Sequence, residues 1–163
     1  MDRLTKFVLI LLLIIVALVI HAKLHFRGKP QAVLPASECD ATLWTHTYEK
    51  DRLQVIAPCA AVEGRVVGVR QSEDGDLHIS LNPDRKSVLN LVNVFHAHRT
   101  LVVESVCEHT PAEDPARAAC GDFHPAITPP AIGERVRIIG AYVTDTDNGW
   151  NEMHPVSRIE VLR

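Results

Sequence analysis

Apolar residues are laid out along this chain in two ways. Phe7 to Ile20 is an unbroken apolar run, F-V-L-I-L-L-L-I-I-V-A-L-V-I, which as a helix covers roughly 21 Å of a hydrocarbon core about 30 Å thick. With Met1 to Lys6 as a short positive flank, it predicts an N-terminal transmembrane helix or signal anchor over residues 1–22. Ile20-His21-Ala22 lacks the small residue that a cleavage site needs three positions before the cut, so a retained anchor is favoured over a cleaved signal. Residues 23–38 hold Gly28, Pro30 and Pro35 without helical or strand periodicity and read as a tether.

The second pattern is the alternation of strands. Within the expected folded domain, residues 39–163, Cys39 to Leu53 reads as a short helix or irregular arm, with a cap at Asp40 and with Trp44 as a packing anchor. Ala61 to Arg70 is valine-rich, with Gly64 and Gly68 where a coiled strand must bend, and Asp74-Gly75 then signals a hairpin turn. In Asp76 to Leu81 the residues Leu77, Ile79 and Leu81 share one face, and Asp76, His78 and Ser80 share the other. Ser87 to His98 is a short helix or a wrapped loop, and Leu101 to Cys107 is a third strand with Glu104 in its middle. Asp114-Pro115 opens a one- or two-turn helix ending near Cys120. Gly133 to Thr144 and Trp150 to Leu162 form a closing hairpin, the latter interrupted at Pro155. Five strands in this order, with the longest insertion between the third and fourth, predict a mainly β fold, a five-stranded OB-like barrel.

Charge and cysteines add the compartment. The net charge is −3; Arg3 and Lys6 against Asp2 leave +1 in the first 22 residues, so the remainder carries −4. With aromatic residues at 5%, this argues against nucleic acid as a partner. Cys39, Cys59, Cys107 and Cys120 are an even set with no C-x-x-C spacing, which suits two disulfides in an exported domain, with the sequence-local pairs Cys39 with Cys59 and Cys107 with Cys120 favoured. The barrel is therefore expected on the extracytoplasmic side, periplasmic or extracellular, with the membrane engaged through the N-terminal helix.

The densest chemistry lies in Asp145 to Val156, D-T-D-N-G-W-N-E-M-H-P-V. Together with Cys59 opening the valine-rich strand, D-G-D-L-H-I at Asp74 to Ile79 and L-V-V-E at Leu101 to Glu104, it resembles an uncharacterised bacterial family of small exported or membrane-anchored OB-like β-barrel domains. The resemblance runs from about Cys39 to the C-terminus and implies architecture and export, with no activity attached. Where that family usually carries histidine and isoleucine, this chain has Asn148 and Met153.

Two readings of the motif follow from the residues. In a structural one, Asp145 and Asp147 accept turn amides, Gly149 supplies a positive φ, Trp150 covers the barrel end and Glu152 bonds Arg135 or Arg137 across the hairpin. In a chemical one, His78, Glu104, Glu152 and His154 share an outward sheet face and bind a divalent metal such as zinc, as in a metal-dependent hydrolase. No nucleophile elbow or phosphate-cradling glycine loop is present in the sequence. The function expected is a non-enzymatic binding or interaction module for an envelope protein, peptide or saccharide, without a cofactor; the hydrolase is the alternative.

Overall fold

The computed structural model describes residues 2–25, 27–112, 114–125 and 127–163. Met1 of the expected positive flank, Phe26 of the expected tether, and Glu113 and Ala126 of the proline-rich stretch lie outside the described residues. The elements are α1 (Arg3–His25), β1 (Ala32–Val33), β2 (Leu53–Gln71), β3 (Leu77–Pro83), α2 (Leu91–Phe95), β4 (Leu101–Ser105), α3 (Asp114–Cys120), β5 (Arg135–Asp145) and β6 (Asn151–Val161). Short 3-10 turns at Ala36–Glu38, Ala41–Thr45 and Lys50–Arg52 build the arm between β1 and β2, and a fourth at Lys86–Val88 leads into α2.

The α1 helix is long and apolar enough to cross a membrane, and none of its apolar window is buried inside the protein. Its length and exposed apolar side chains suit an anchor or a signal segment. The connector after α1 is more ordered than a tether. Ala32 and Val33 pair with Ala61 and Ala60 as a sixth strand, and the Lys29 N–H donates to the Ser87 carbonyl at 2.7 Å. At Gly28 the backbone has φ +74°, and a Cβ there would come within 2.1 Å of Asn151 Nδ2. Only glycine lets the chain pass so close to β6.

The six strands form one sheet in the order β1-β2-β3-β4-β6-β5, and β2 also pairs with β5, so that five of them close a ring. Closure depends on the 19-residue β2. Its first part, from Leu53 to Arg65, pairs with β5, while Gly64 to Gln71 pairs with β3. Bulges between Val55 and Ala57 and between Ala57 and Ala60 bend the strand and accommodate Pro58, which has no N–H to give a ladder. Gly64 allows a close approach, since a Cβ there would lie 2.5 Å from the Asn82 carbonyl oxygen. β4 and β6 are the one parallel pair among the described residues, and β6 returns antiparallel to β5.

Inside the ring lies one apolar core that includes Val62, Val66, Ile79, Leu81, Leu101, Val103, Ile138, Tyr142, Met153 and Val156. The alternation read from the sequence thus holds on β3, while on β4 Val103, Glu104 and Ser105 are all buried. Nor does it hold on β6: Asn151 to Val156 are all buried, on both faces. The arm is the reason. It lies against the outer side of β5 and β6, with Trp44 packed on Leu53, Ala141 and Val143 and the Asp40 N–H donating to Ser157 Oγ at 3.0 Å.

Two disulfides fasten this cover. Cys39 bonds Cys59, and Cys107 bonds Cys120, so the arm is tied to β2 and α3 is tied behind β4. Leu43 from the arm joins Val106, Cys107, Cys120 and Phe123 in a second small core, and the His46 ring stacks on Phe123 with centroids 3.9 Å apart.

Candidate functional site

Covering the outer face turns an outward polar row into a buried one. Strand pairing sets the row: His78 lies opposite Glu104, and Glu152 on β6 lies beside Val102 on β4. Glu152 and His154, two residues apart, point away from the apolar core on the same side. The expected exposed face is therefore a closed polar interior in which Asp76, Glu104, Glu152 and His154 are each at most 2% exposed.

His154 is the centre. Its Nδ1 is 3.1 Å from Glu152 Oε1 and 2.9 Å from Glu104 Oε2, and its Nε2 is 3.6 Å from Asp76 Oδ2. One Nδ1–H cannot serve two carboxylates. It is directed at Glu152, while Glu104 Oε2 and His154 Nε2 have no hydrogen-bond partner. The contact with Glu104 is accordingly an ion-pair contact. The carboxylates are held from outside: the Cys107 N–H donates to Asp76 Oδ1 at 2.9 Å and Trp150 Nε1 donates to Glu152 Oε2 at 2.8 Å. His78 Nε2 lies 3.4 Å from Glu104 Oε1, and Arg70 Nη2 donates to His78 Nδ1 at 2.7 Å.

The Arg52 guanidinium closes the cluster toward the turn. It pairs with Asp145 and lies 3.9 Å from Glu104 Oε2. Asp145 in turn accepts from the Asp147 and Asn148 backbone N–H groups at 2.8 and 3.3 Å. Gly149 has φ +79°. Glu152, however, does not reach Arg135 or Arg137 across the hairpin. It bonds Trp150 and His154 instead, while Arg135 pairs with Glu63 and Asp84. The physical reason is face: Glu152 stands opposite Val143, on the covered side of the sheet.

Burial and proximity shift the protons. Burial pushes Asp76 up to about 7, with the nearby Asp74 and Glu104 charges adding to it and His154 opposing. Burial also pushes Glu152 up, reinforced by the Glu104 charge. For Glu104 burial is outweighed by His154, His78 and Arg52, which hold it at about 2. For His154 burial is likewise outweighed by Glu104 and Glu152, which raise it to about 10. Burial lowers His78, with the Arg70 charge acting in the same direction. In the absence of other cations the cluster thus retains protons through neutral pH.

Of the sequence candidates, Glu104, Glu152 and His154 come together in one knot. His78 sits at its edge, in contact with Glu104 alone among the cluster carboxylates. Asp76 completes the knot and Arg52 caps it. The donor set that the geometry favours for a cation is Asp76, Glu104 and His154, whose ligand atoms lie within 4.8 Å of one another. A second polar network also escaped the sequence reading. Asn90 and Asn93 cap α2 reciprocally, and Asn93, Asn151 and Tyr142 hydrogen-bond in the interior. Its signal was the N-x-x-N spacing ahead of an apolar run.

Two open cavities flank the knot. One of about 600 Å³ is lined by residues that include Tyr48, Arg52, Arg70, Ser72, Asp74 and Asn148, between the β2–β3 and β5–β6 turns. The other, about 350 Å³, is lined by residues that include Arg70, His78, Ser80, Trp150, His96 and His98.

No family model matches the sequence, and no curated protein matches it.

Proposed function

We propose that the chain is a membrane-anchored, exported OB-like binding module, with the barrel on the extracytoplasmic side. The OB-like reading is supported by the ring β2-β3-β4-β6-β5 with its parallel β4–β6 pair. OB barrels take extended ligands across the second and third strands and the loops after the first and fourth. The observation that carries the reading is the 600 Å³ cavity between those two turns, which shares Arg70 in its lining with the cavity on the β3–β4 face. Export is supported by the apolar α1 helix and the two disulfides, and by the resemblance to an exported family in D-T-D-N-G-W-N-E-M-H-P-V.

The lining selects the ligand class. Arg70, Gln71, Ser72, Asp74 and Asn148 offer donors and acceptors of both signs, which suits a peptide or an oligosaccharide of the envelope. A stacked polyanion would want more cations and aromatic rings than this lining supplies. The hydrolase reading is weaker because its carboxylates and His154 lie behind Arg52, His78 and Trp150, out of reach of a substrate in either cavity.

The test is calorimetric titration of the full chain in detergent with muropeptides, chitotetraose, an octapeptide mixture and an oligo-dT dodecamer. Saturable binding to a glycan or peptide ligand is expected, weakened at least about tenfold by Arg70→Ala. Binding of oligo-dT alone, or binding indifferent to Arg70→Ala, would contradict the reading.

A further inference from the structure

We propose that Asp76, Glu104 and His154 hold a buried divalent transition-metal ion, a structural site independent of the ligand groove. The three residues each bring one ligand atom within 4.8 Å of the other two, all of them buried. Asp76 Oδ1 takes the Cys107 N–H, leaving Oδ2 to face His154. Glu104 Oε1 faces His78, and Oε2, without a hydrogen-bond partner, lies against the His154 ring at 2.9 Å from Nδ1. His154 Nδ1 is engaged by Glu152, leaving Nε2 fully buried and unpartnered.

A carboxylate holding one imidazole nitrogen so that the other presents its lone pair is the arrangement that orients metal-bound histidines. Glu152 occupies that place, and Trp150 fixes Glu152 in turn. An unpartnered imidazole nitrogen and an unpartnered carboxylate oxygen in a dry interior are costly unless a cation or a proton joins them. Charge points the same way. Asp76, Glu104, Glu152 and Asp145 are four buried carboxylates, against which stand Arg52 and the His154 ring. One nitrogen and two oxygen donors suit zinc or manganese, and the cover of arm and Arg52 keeps substrate away, so the ion binds the strands β3, β4 and β6 together at the mouth of the ring.

The experiment is elemental analysis of the full chain, purified in detergent without metal-affinity steps and dialysed against equimolar zinc and manganese, beside Asp76→Asn and Asp147→Asn. The expected result is about one equivalent of a single metal in the wild-type chain and in Asp147→Asn, whose side chain is exposed. In Asp76→Asn, occupancy is expected to fall at least about tenfold. The wild-type thermal midpoint is expected to drop on adding EDTA and to recover with the metal. A folded wild-type chain with under about a tenth of an equivalent and no response to EDTA would overturn the site, as would a metal retained by folded Asp76→Asn. If Asp76→Asn does not fold, the wild-type metal content and its EDTA response decide alone.

Discussion

His154 is the residue on which the interior of this protein turns. Removing its ring leaves Glu104, Glu152 and Asp76 as neighbouring buried carboxylates without their common partner, and His154→Ala is expected to cost about 3–5 kcal/mol of stability, read from urea unfolding of the full chain in detergent. The pH dependence of the metal-free chain rests on the same groups. His154 is raised to about 10 in the folded state, so its contribution is whole below its ordinary value near 6.5 and is lost as pH climbs through 10. Asp76, raised to about 7, binds its proton more tightly when folded, so its effect also falls as pH rises from about 4 to 7. Glu104, held at about 2, contributes above its ordinary value and is lost as pH falls toward 2. Unfolding midpoints in EDTA should therefore decline steadily from pH 6.5 to 10; a rise over that range would contradict the assignment. The two-residue spacing of Glu152 and His154 and the placement of Glu104 on the third strand are legible from alternation alone. Their burial is not, because alternation says which side of a sheet a residue takes and not whether a distant arm covers that side. Asp76 is legible for the same reason only as a polar position on the face of His78, with nothing in the sequence to set it apart as a member of the cluster.

At the scale of elements, the disulfides and one glycine hold arm and anchor to the ring. Breaking Cys107–Cys120, which closes a 13-residue separation, by the Cys107→Ala, Cys120→Ala pair is expected to cost about 3 kcal/mol, measured by urea unfolding beside the intact chain. Gly28→Ala forces a side chain into Asn151 and a strained φ. It is expected to destabilise by about 1–3 kcal/mol and to expose the Arg27–Lys29 backbone to amide exchange. A variant as stable and as protected as the wild type would show that this segment does not dock. The strands are readable where valine and isoleucine alternate, but the first eight residues of β2, Leu53 to Ala60, are not. Pro58 and three alanines close to it, Ala57, Ala60 and Ala61, weaken any β signal, and only the bulged pairing with β5 makes a strand of them. Likewise Ala32 and Val33 lie in a stretch broken by glycine and prolines, and become a strand by pairing with β2. Helix α3 is legible because Asp114-Pro115 is a local start signal.

The whole molecule is a helix long and apolar enough to cross a membrane, joined by a docked connector to a closed, stapled ring with an open groove at one end. Fused at Arg163 to alkaline phosphatase in a bacterial host, the full chain is expected in the membrane fraction with an active reporter; an inactive reporter would place the ring in the cytoplasm and contradict the export reading. The central claim is that ligand binding belongs to the groove between the β2–β3 and β5–β6 turns. A different groove, lined by Arg27, Gln54, Asn90 and Thr144, lies at the anchor end and is the natural competitor. The most direct measurement is amide chemical-shift mapping of the full chain in detergent, with the tightest ligand of the glycan and peptide panel bound. The account predicts shifts confined to Arg70–Asp74, His78 and Asp147–Trp150, appearing together in one titration. Shifts gathered instead around Arg27, Gln54 and Thr144 would contradict it and move the binding site to the membrane side.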